Sequence, residues 1–309
     1  MGYISYVYKK QFVCRYDKEV EVPYHSYLDF NGLKQEVSTF LNSLNTELRY
    51  FYYYYDNYRQ DKLILFLHGL GPGHAAYLAE INALAKKGYK ILTLDYTGCG
   101  ESKGKILKSL NQPTRDVIDL LRHLSLKTPV VLVGPSLGGF NALNILNLKN
   151  DITKAVVLYG FLSIASELGS QIKSKFICKH ILKYESKTVP EYFKLDNLEF
   201  LKKTTDDVFF IQSDDDQMVP YSIALKVVED EINNPHVKTL RVSEKKHNPN
   251  YSLEAVKYMN EVFGKYYYLI NKKEIRTDEQ KIAYFKDVSL DKLVEQDEAI
   301  ISAICDFIG

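Results

Sequence analysis

Between residues 62 and 242 the sequence keeps returning to one unit: a short, mainly apolar run, then a loop, then apolar residues at helical spacing. The runs fall at 62–67, 89–94, 129–133, 155–158 and 208–211, and a further strand follows at 237–242. A strand with no polar alternation has no face to give to water, so it belongs in a sheet covered on both sides. Helical spacing fills the gaps at 75–87 (Leu78, Ile81, Leu84, Ala85, then Gly88 as a stop), 114–124, 140–148 and 222–231. Strands alternating with helices and joined by right-handed crossovers give an α/β fold with a mostly parallel, doubly wound sheet. At 309 residues and 46% hydrophobic, the chain has the interior for it, and disorder is excluded.

Three regions interrupt the rhythm. Residues 162–204 lack a clear strand and carry patchy helical spacing, which reads as a small helical cap inserted between two core strands. Beyond Pro249 the pattern is helical at 251–268, charged at 272–281 and helical again at 290–308. Residues 250–288 are thus an extra helical segment before a closing helix. The first 60 residues look β-rich and irregular, with tyrosines at 50, 52, 53, 54, 55 and 58. A strand with one face on the core and one in water accounts for that run. The whole chain, 1–309, is expected to form one domain around the sheet.

Charge and cysteine usage narrow the function classes. Forty basic residues against 39 acidic leave a net charge of +1, no field for nucleic acid or an anionic membrane. Cys14, Cys99, Cys178 and Cys305 are scattered, without a CxxC pair or metal spacing, which suits a reducing, cytoplasmic setting. Residues 1–14 have no apolar core of the kind a signal peptide needs. Met1-Gly2 lacks the Ser or Thr that myristoylation wants at the sixth position, where Tyr6 stands. No run is long and apolar enough to span a bilayer. No metal and no cofactor is expected, and the partner is a small molecule. The oligomeric state is left open.

Chemistry collects at strand ends. Gly134-Pro135-Ser136-Leu137-Gly138-Gly139 follows an apolar run and opens a helix. A sharp strand-to-helix turn there lifts the serine hydroxyl off the sheet edge, and glycines two before and two after let the backbones pass. By chance G-x-S-x-G occurs in roughly one chain of this length in ten, so its weight comes from that context. A free hydroxyl is a poor nucleophile and needs a base. His247, just past a strand end, has the right chemistry, and a carboxylate must then hold the imidazole in the right tautomer. Asp214, Asp215 and Asp216 compete for that part.

A rival pattern is Gly71-x-Gly73-x-x-Ala76, after a strand and before a helix, with Asp95 ending the next strand. That is a dinucleotide-binding fingerprint with its ribose carboxylate. Against it, His68, Gly69 and Leu70 intervene where the fingerprint wants a tight turn. It also leaves Ser136, Asp216 and His247 as coincidences.

The segments together resemble the α/β-hydrolase superfamily, in its esterase- and lipase-like members. His68-Gly69-Leu70-Gly71-Pro72-Gly73 resembles the family's oxyanion loop, and Asp95 to Ser102 its D-x-x-G-x-G-x-S segment. Gly134 to Gly139 resembles the nucleophile elbow. Ser213 to Pro220 resembles the G-x-x-D-x-x-V-P acid loop, with Ser213 in place of glycine. His247 stands where the family carries its histidine, without the usual preceding glycine. The order, Ser then Asp then His, is the family's, over about residues 60–250. The resemblance implies a nucleophile at Ser136, a base at His247 and, by register, an acid at Asp216. It implies an oxyanion hole from the backbone N–H of Leu70 and Leu137, and hydrolysis of a carboxylic ester through an acyl-enzyme. Thioesterase, peptidase and acyltransferase chemistry uses the same parts, and a non-catalytic binding protein is the further alternative. The remaining histidines read as packing or surface residues, with His68 supporting the oxyanion loop.

Overall fold

The computed structural model describes residues 2–10, 23–148 and 151–309. Cys14, with residue 1 and residues 11–13 of the N-terminal stretch considered above, lies outside the described residues. Eight strands make one sheet: β1 (Lys34–Leu41), β2 (Glu47–Tyr54), β3 (Leu63–Phe66), β4 (Lys90–Leu94), β5 (Val130–Pro135), β6 (Lys154–Leu158), β7 (Asp207–Ser213) and β8 (Val237–Val242). Their order is β1-β2-β4-β3-β5-β6-β7-β8. From β4 through β8 every pair is parallel, while β2 runs antiparallel to β4 and pairs with β1 as a hairpin.

Burial follows the sequence pattern. All positions of β3 and β5, at the centre, are buried, whereas the edge strands β1 and β8 are largely open to water. The tyrosine-rich run departs from its expectation. In β2, Phe51 and Tyr53 pack into the core on one side of the sheet, and Leu48 and Tyr50 into the core on the other. The strand is buried on both faces, not one, because β1 shields its edge and helices cover both sides.

The helices in chain order are α1 (Gly2–Lys10), α2 (Leu78–Lys86), α3 (Gln112–Leu124), α4 (Leu137–Leu148), α5 (Ile164–Gln171), α6 (Lys175–Thr188), α7 (Pro190–Phe193), α8 (Asn197–Lys203), α9 (Leu225–Glu231), α10 (Leu253–Asn271), α11 (Asp278–Phe285), α12 (Leu290–Leu293) and α13 (Glu298–Ile308). Leu78, Ile81 and Leu84 of α2 and Ile300, Ile304 and Ile308 of α13 cover one face of the sheet. Val117 and Leu120 of α3, Leu143 and Ile145 of α4, and Leu225 and Val228 of α9 cover the other. Helices α5 to α8 all lie between β6 and β7.

The closing segment is not one helix. Between α12 and α13 the chain bends, Tyr251 bridges to Gln296, and Asp297 caps α13 by accepting from the amides of Ala299 at 2.9 Å and Ile300 at 3.3 Å. The charged stretch near residue 280 holds α11, whose Phe285 packs on Val262 of α10. Among the described residues no helix is long and apolar enough to cross a membrane.

Candidate active site

Four loops at the carboxyl edge of the parallel strands carry the residues singled out by sequence. That edge is where doubly wound sheets hold their ligands. At the end of β5, Ser136 takes a left-handed backbone conformation, with φ of +52°, and its amide donates to the Leu158 carbonyl at 2.8 Å. A non-glycine residue held there costs energy that the surrounding packing must supply. The glycines make the turn possible. A Cβ on Gly138 would sit 2.7 Å from the Leu67 carbonyl carbon and 2.9 Å from the His68 carbonyl oxygen, below contact distance.

The loop after β8 brings His247 to this serine. His247 Nε2 lies 3.1 Å from Ser136 Oγ, and its Nδ1 lies 2.8 Å from Asp216 Oδ2. Lys246, in the position where the family has glycine, adopts φ of +50°, so a lysine here takes the backbone shape that glycine provides elsewhere. The loop is held at both ends. The buried Lys245 amine pairs with Asp297, and the Lys246 amide donates to Asp215 Oδ1 at 2.9 Å.

The three consecutive acids divide their work. Asp216 is buried, and its Oδ1 accepts from the amides of Met218 at 2.9 Å and Val219 at 3.0 Å, which leaves Oδ2 for the imidazole. Asp215 accepts from the Ser213 hydroxyl at 2.6 Å as well as from Lys246. Asp214 accepts from the Ser243 hydroxyl at 2.8 Å. Of the three, the structure brings Asp216 to the histidine, while the other two pin the loops on either side.

The loop after β3 completes the group. His68 is fully buried, its Nδ1 bonded to the Gly69 carbonyl at 2.7 Å and its Nε2 accepting from the Tyr96 amide at 3.3 Å. Burial pushes its pKa down to about 4, so the ring is neutral and acts as a prop for the turn. Among the described residues no acceptor takes the amides of Leu70 or Leu137. Both residues line the same cavity as Ser136 and His247, of about 430 Å³.

Asp95 has a different job from the one the dinucleotide fingerprint requires. Its carboxylate is buried and accepts from the His74 amide at 2.8 Å, His74 Nδ1 at 2.9 Å and the Glu101 amide at 2.8 Å. Gly73 and Gly100 crowd against it so closely that a Cβ on either would collide with the carboxyl group. A carboxylate wrapped in this way has no reach toward a ribose, and the fingerprint reading fails on it.

The cap insertion supplies part of the cavity wall. Of the inserted apolar residues, Ile172 lines it, Ile181 is in the core, and Phe176 and Ile177 face water. The other cap contributions come from Glu167, Leu168 and Gln171 of α5. The chain's start also takes part. Tyr8 of α1 lines the cavity and donates at 2.7 Å to Glu185, a buried carboxylate of α6 that also holds the Ser109 hydroxyl. Tyr159, just past β6, sets its ring 4.5 Å from that of His247. Nothing in the local sequence pattern marks these residues, because their roles depend on how distant segments dock. Among the described residues no cluster of His, Cys, Asp or Glu is arranged to hold a metal.

At the far end of the His247 loop, Tyr251 donates to Glu80 Oε1 at 2.9 Å and the Asn250 side chain approaches the same buried carboxyl, whose Oε2 has no well-aligned hydrogen-bond partner among the described residues. Burial raises the Glu80 pKa from 4.5 to about 7. The folded chain therefore keeps a proton that the unfolded chain releases, and stability falls as pH rises from about 4.5 to about 7. The full effect is about 3 kcal/mol. Glu80→Gln, which keeps the acceptor for Tyr251, is expected to flatten this slope and to be more stable than wild type at pH 8. Urea midpoints at pH 5 and pH 8 check it, and parallel pH dependences in the two proteins would disprove it.

A mostly parallel sheet between helical layers, with serine, histidine and aspartate meeting at its carboxyl edge in that bonding order, defines an α/β-hydrolase. A family model described as serine aminopeptidase, S33, matches residues 58–229, more than half of the chain, and the chain belongs to this family. Curated relatives align over shorter stretches. A putative chloroplastic methylesterase 14 of Arabidopsis thaliana is 32% identical over 80 residues, 25% of this chain and 23% of that protein. An epoxide hydrolase of Caballeronia sordidicola is 34% identical over 96 residues, 30% of this chain and 29% of that one. These alignments span less than a third of either relative. Among solved structures, an esterase of Pyrococcus furiosus is similar with a TM-score of 0.57 at 18% identity, covering 84% of this chain and 96% of that chain. An acetyl xylan esterase from Paenibacillus sp. R4 is similar with a TM-score of 0.54 at 16% identity, covering 80% and 94%. At such identities the likeness is one of fold.

Proposed function

We propose that the chain is a serine hydrolase that cleaves a carboxylic ester through an acyl-enzyme. One observation carries this reading: His247 bridges the Ser136 hydroxyl and the buried Asp216 carboxylate. In that arrangement His247 Nε2 takes the hydroxyl proton as Ser136 Oγ attacks the acyl carbon, and Asp216 keeps the Nδ1 proton in place and stabilises the imidazolium. The amides of Leu70 and Leu137 are the donors for the oxyanion, fixed before the charge develops. The imidazolium then protonates the leaving alkoxide. Water, deprotonated by the same Nε2, releases the acid and restores Ser136. The methylesterase and esterase names among the relatives agree with an ester substrate.

Purified protein is expected to release the phenol from an activated ester with a burst equal to the enzyme concentration when deacylation is slow. Asp216→Asn should lower kcat by about 10⁴, because the amide favours the wrong histidine tautomer. Asp214→Asn and Asp215→Asn, which touch loop anchors, should cost far less. A larger loss at Asp215 than at Asp216 would move the acid by one residue, and no ester cleavage by the wild type would end the reading.

A further inference from the structure

Helix α5 turns one face to the catalytic cavity, and on that face sits a carboxyl group that neither the fold nor the proposed chemistry uses. Glu167 lines the cavity together with Ser136 and His247. Its Oε2 is sealed from solvent and has no hydrogen-bond partner among the described residues. Gln171, one turn on, approaches the carboxyl, but its amide also donates to the Met218 carbonyl at 2.6 Å. Among the described residues no lysine or arginine lines the cavity, and its remaining wall is largely Leu, Ile, Val, Phe and Tyr. The capping of α5 does not need Glu167, since the Ser163 hydroxyl accepts from the Ser166 amide at 3.1 Å.

A carboxyl oxygen sealed from water without a direct partner is costly, and in a largely apolar pocket a few polar side chains commonly fix a ligand's orientation. Burial, and then the negative charge of Asp216, raise the Glu167 pKa from 4.5 to about 7. A carboxyl in that state is best completed by a neutral group able both to give and to take a hydrogen bond. A second anion so close to Asp216 is the poorest fit.

Resting on the ester-hydrolase reading, we infer that Glu167 is a specificity residue. Its carboxyl takes a hydroxyl carried on an otherwise apolar ester, and it turns away esters that carry a carboxylate at the same place.

The test is a series of esters of one chain length, with a hydroxyl, a methyl, an ammonium or a carboxylate group walked along the acyl chain and along the alcohol. At the best position the wild type is expected to favour the hydroxyl over the methyl by about five- to tenfold in kcat/KM, the size of one hydrogen bond. Glu167→Leu should erase that ratio, Glu167→Gln should keep most of it, and both should gain in relative use of the carboxylate ester. An unchanged ratio in the leucine variant, a ratio of one at every position, or a preference for ammonium over hydroxyl would overturn the assignment. Binding of the matching uncleavable amides to Ser136→Ala, read by calorimetry, separates the two claims. Tighter binding of the hydroxylated amide without any ester cleavage by the wild type would sink the hydrolase and keep the donor site. Equal binding of both amides beside active ester cleavage would do the reverse.

Discussion

Ser136→Ala is expected to abolish ester hydrolysis, with a loss on the order of 10⁶ in kcat, and to leave the fold standing. The loss is large because, among the described residues, the Ser136 hydroxyl is the group bonded to His247 Nε2. His247 Nε2 is bonded to Ser136 Oγ at 3.1 Å, so removal of the oxygen leaves the base with no proton to take and the acyl carbon with no attacker. The fold is spared because what holds the elbow is backbone. The Ser136 amide bonds to Leu158, the Phe140 amide bonds to the Ser136 carbonyl at 3.1 Å, and neither involves the hydroxyl. Alanine at φ of +52° carries the same Cβ as serine, so the strain does not grow. Labelling with a serine-reactive phosphonate, mass-mapped to the modified peptide, checks the first half, and thermal unfolding checks the second. Activity retained in the alanine variant, or a label elsewhere, would put the nucleophile in another place.

The parts of this site that could be read from sequence share a physical property: each is fixed by its own neighbours. Strands β3 and β5 are apolar at every position because both faces are buried, and such a run leaves few alternatives. The elbow needs small residues on both sides of Ser136 because two backbones cross there. Asp216 could be separated from Asp214 and Asp215 only by register, and the amides of Met218 and Val219 show why that register matters.

What could not be read depends on docking between remote segments. Phe176, Ile177 and Ile181 are alike apolar in sequence, yet α6 packs with Ile181 inward and leaves the other two in water. Glu167 looks like an ordinary surface acid until α5 is laid over the cavity. Glu80 has the spacing of a solvent-facing helix position, yet it is buried and meets Tyr251, which returns from far along the chain. The tyrosine-rich run was legible as a strand, but its hairpin with β1 and its antiparallel join to β4 follow from pairing partners that the sequence does not name.

Gly138→Ala is expected to be the most damaging conservative change for the fold, costing about 3 kcal/mol and most of the activity together. Helical preference alone points the other way. Gly138 lies in α4, and alanine inside a helix is favoured over glycine by about 1 kcal/mol. Close approach decides the sign. The added methyl would meet the Leu67 carbonyl group and, at 2.9 Å, the carbonyl oxygen of His68, and these are backbone atoms that cannot rotate aside. Relief requires α4 to move away from the end of β3, in a core packed to the density of a crystal. The displaced pieces are the two that carry the proposed oxyanion donors, because Leu137 begins α4 and Leu70 follows His68 by two residues. Stability and kcat should therefore fall together, whereas at Ser136 they separate. Urea denaturation and ester turnover measured on the same preparation provide the comparison. An alanine variant with wild-type stability would mean that α4 and the oxyanion loop are not held as tightly as the crossing at Gly138 requires.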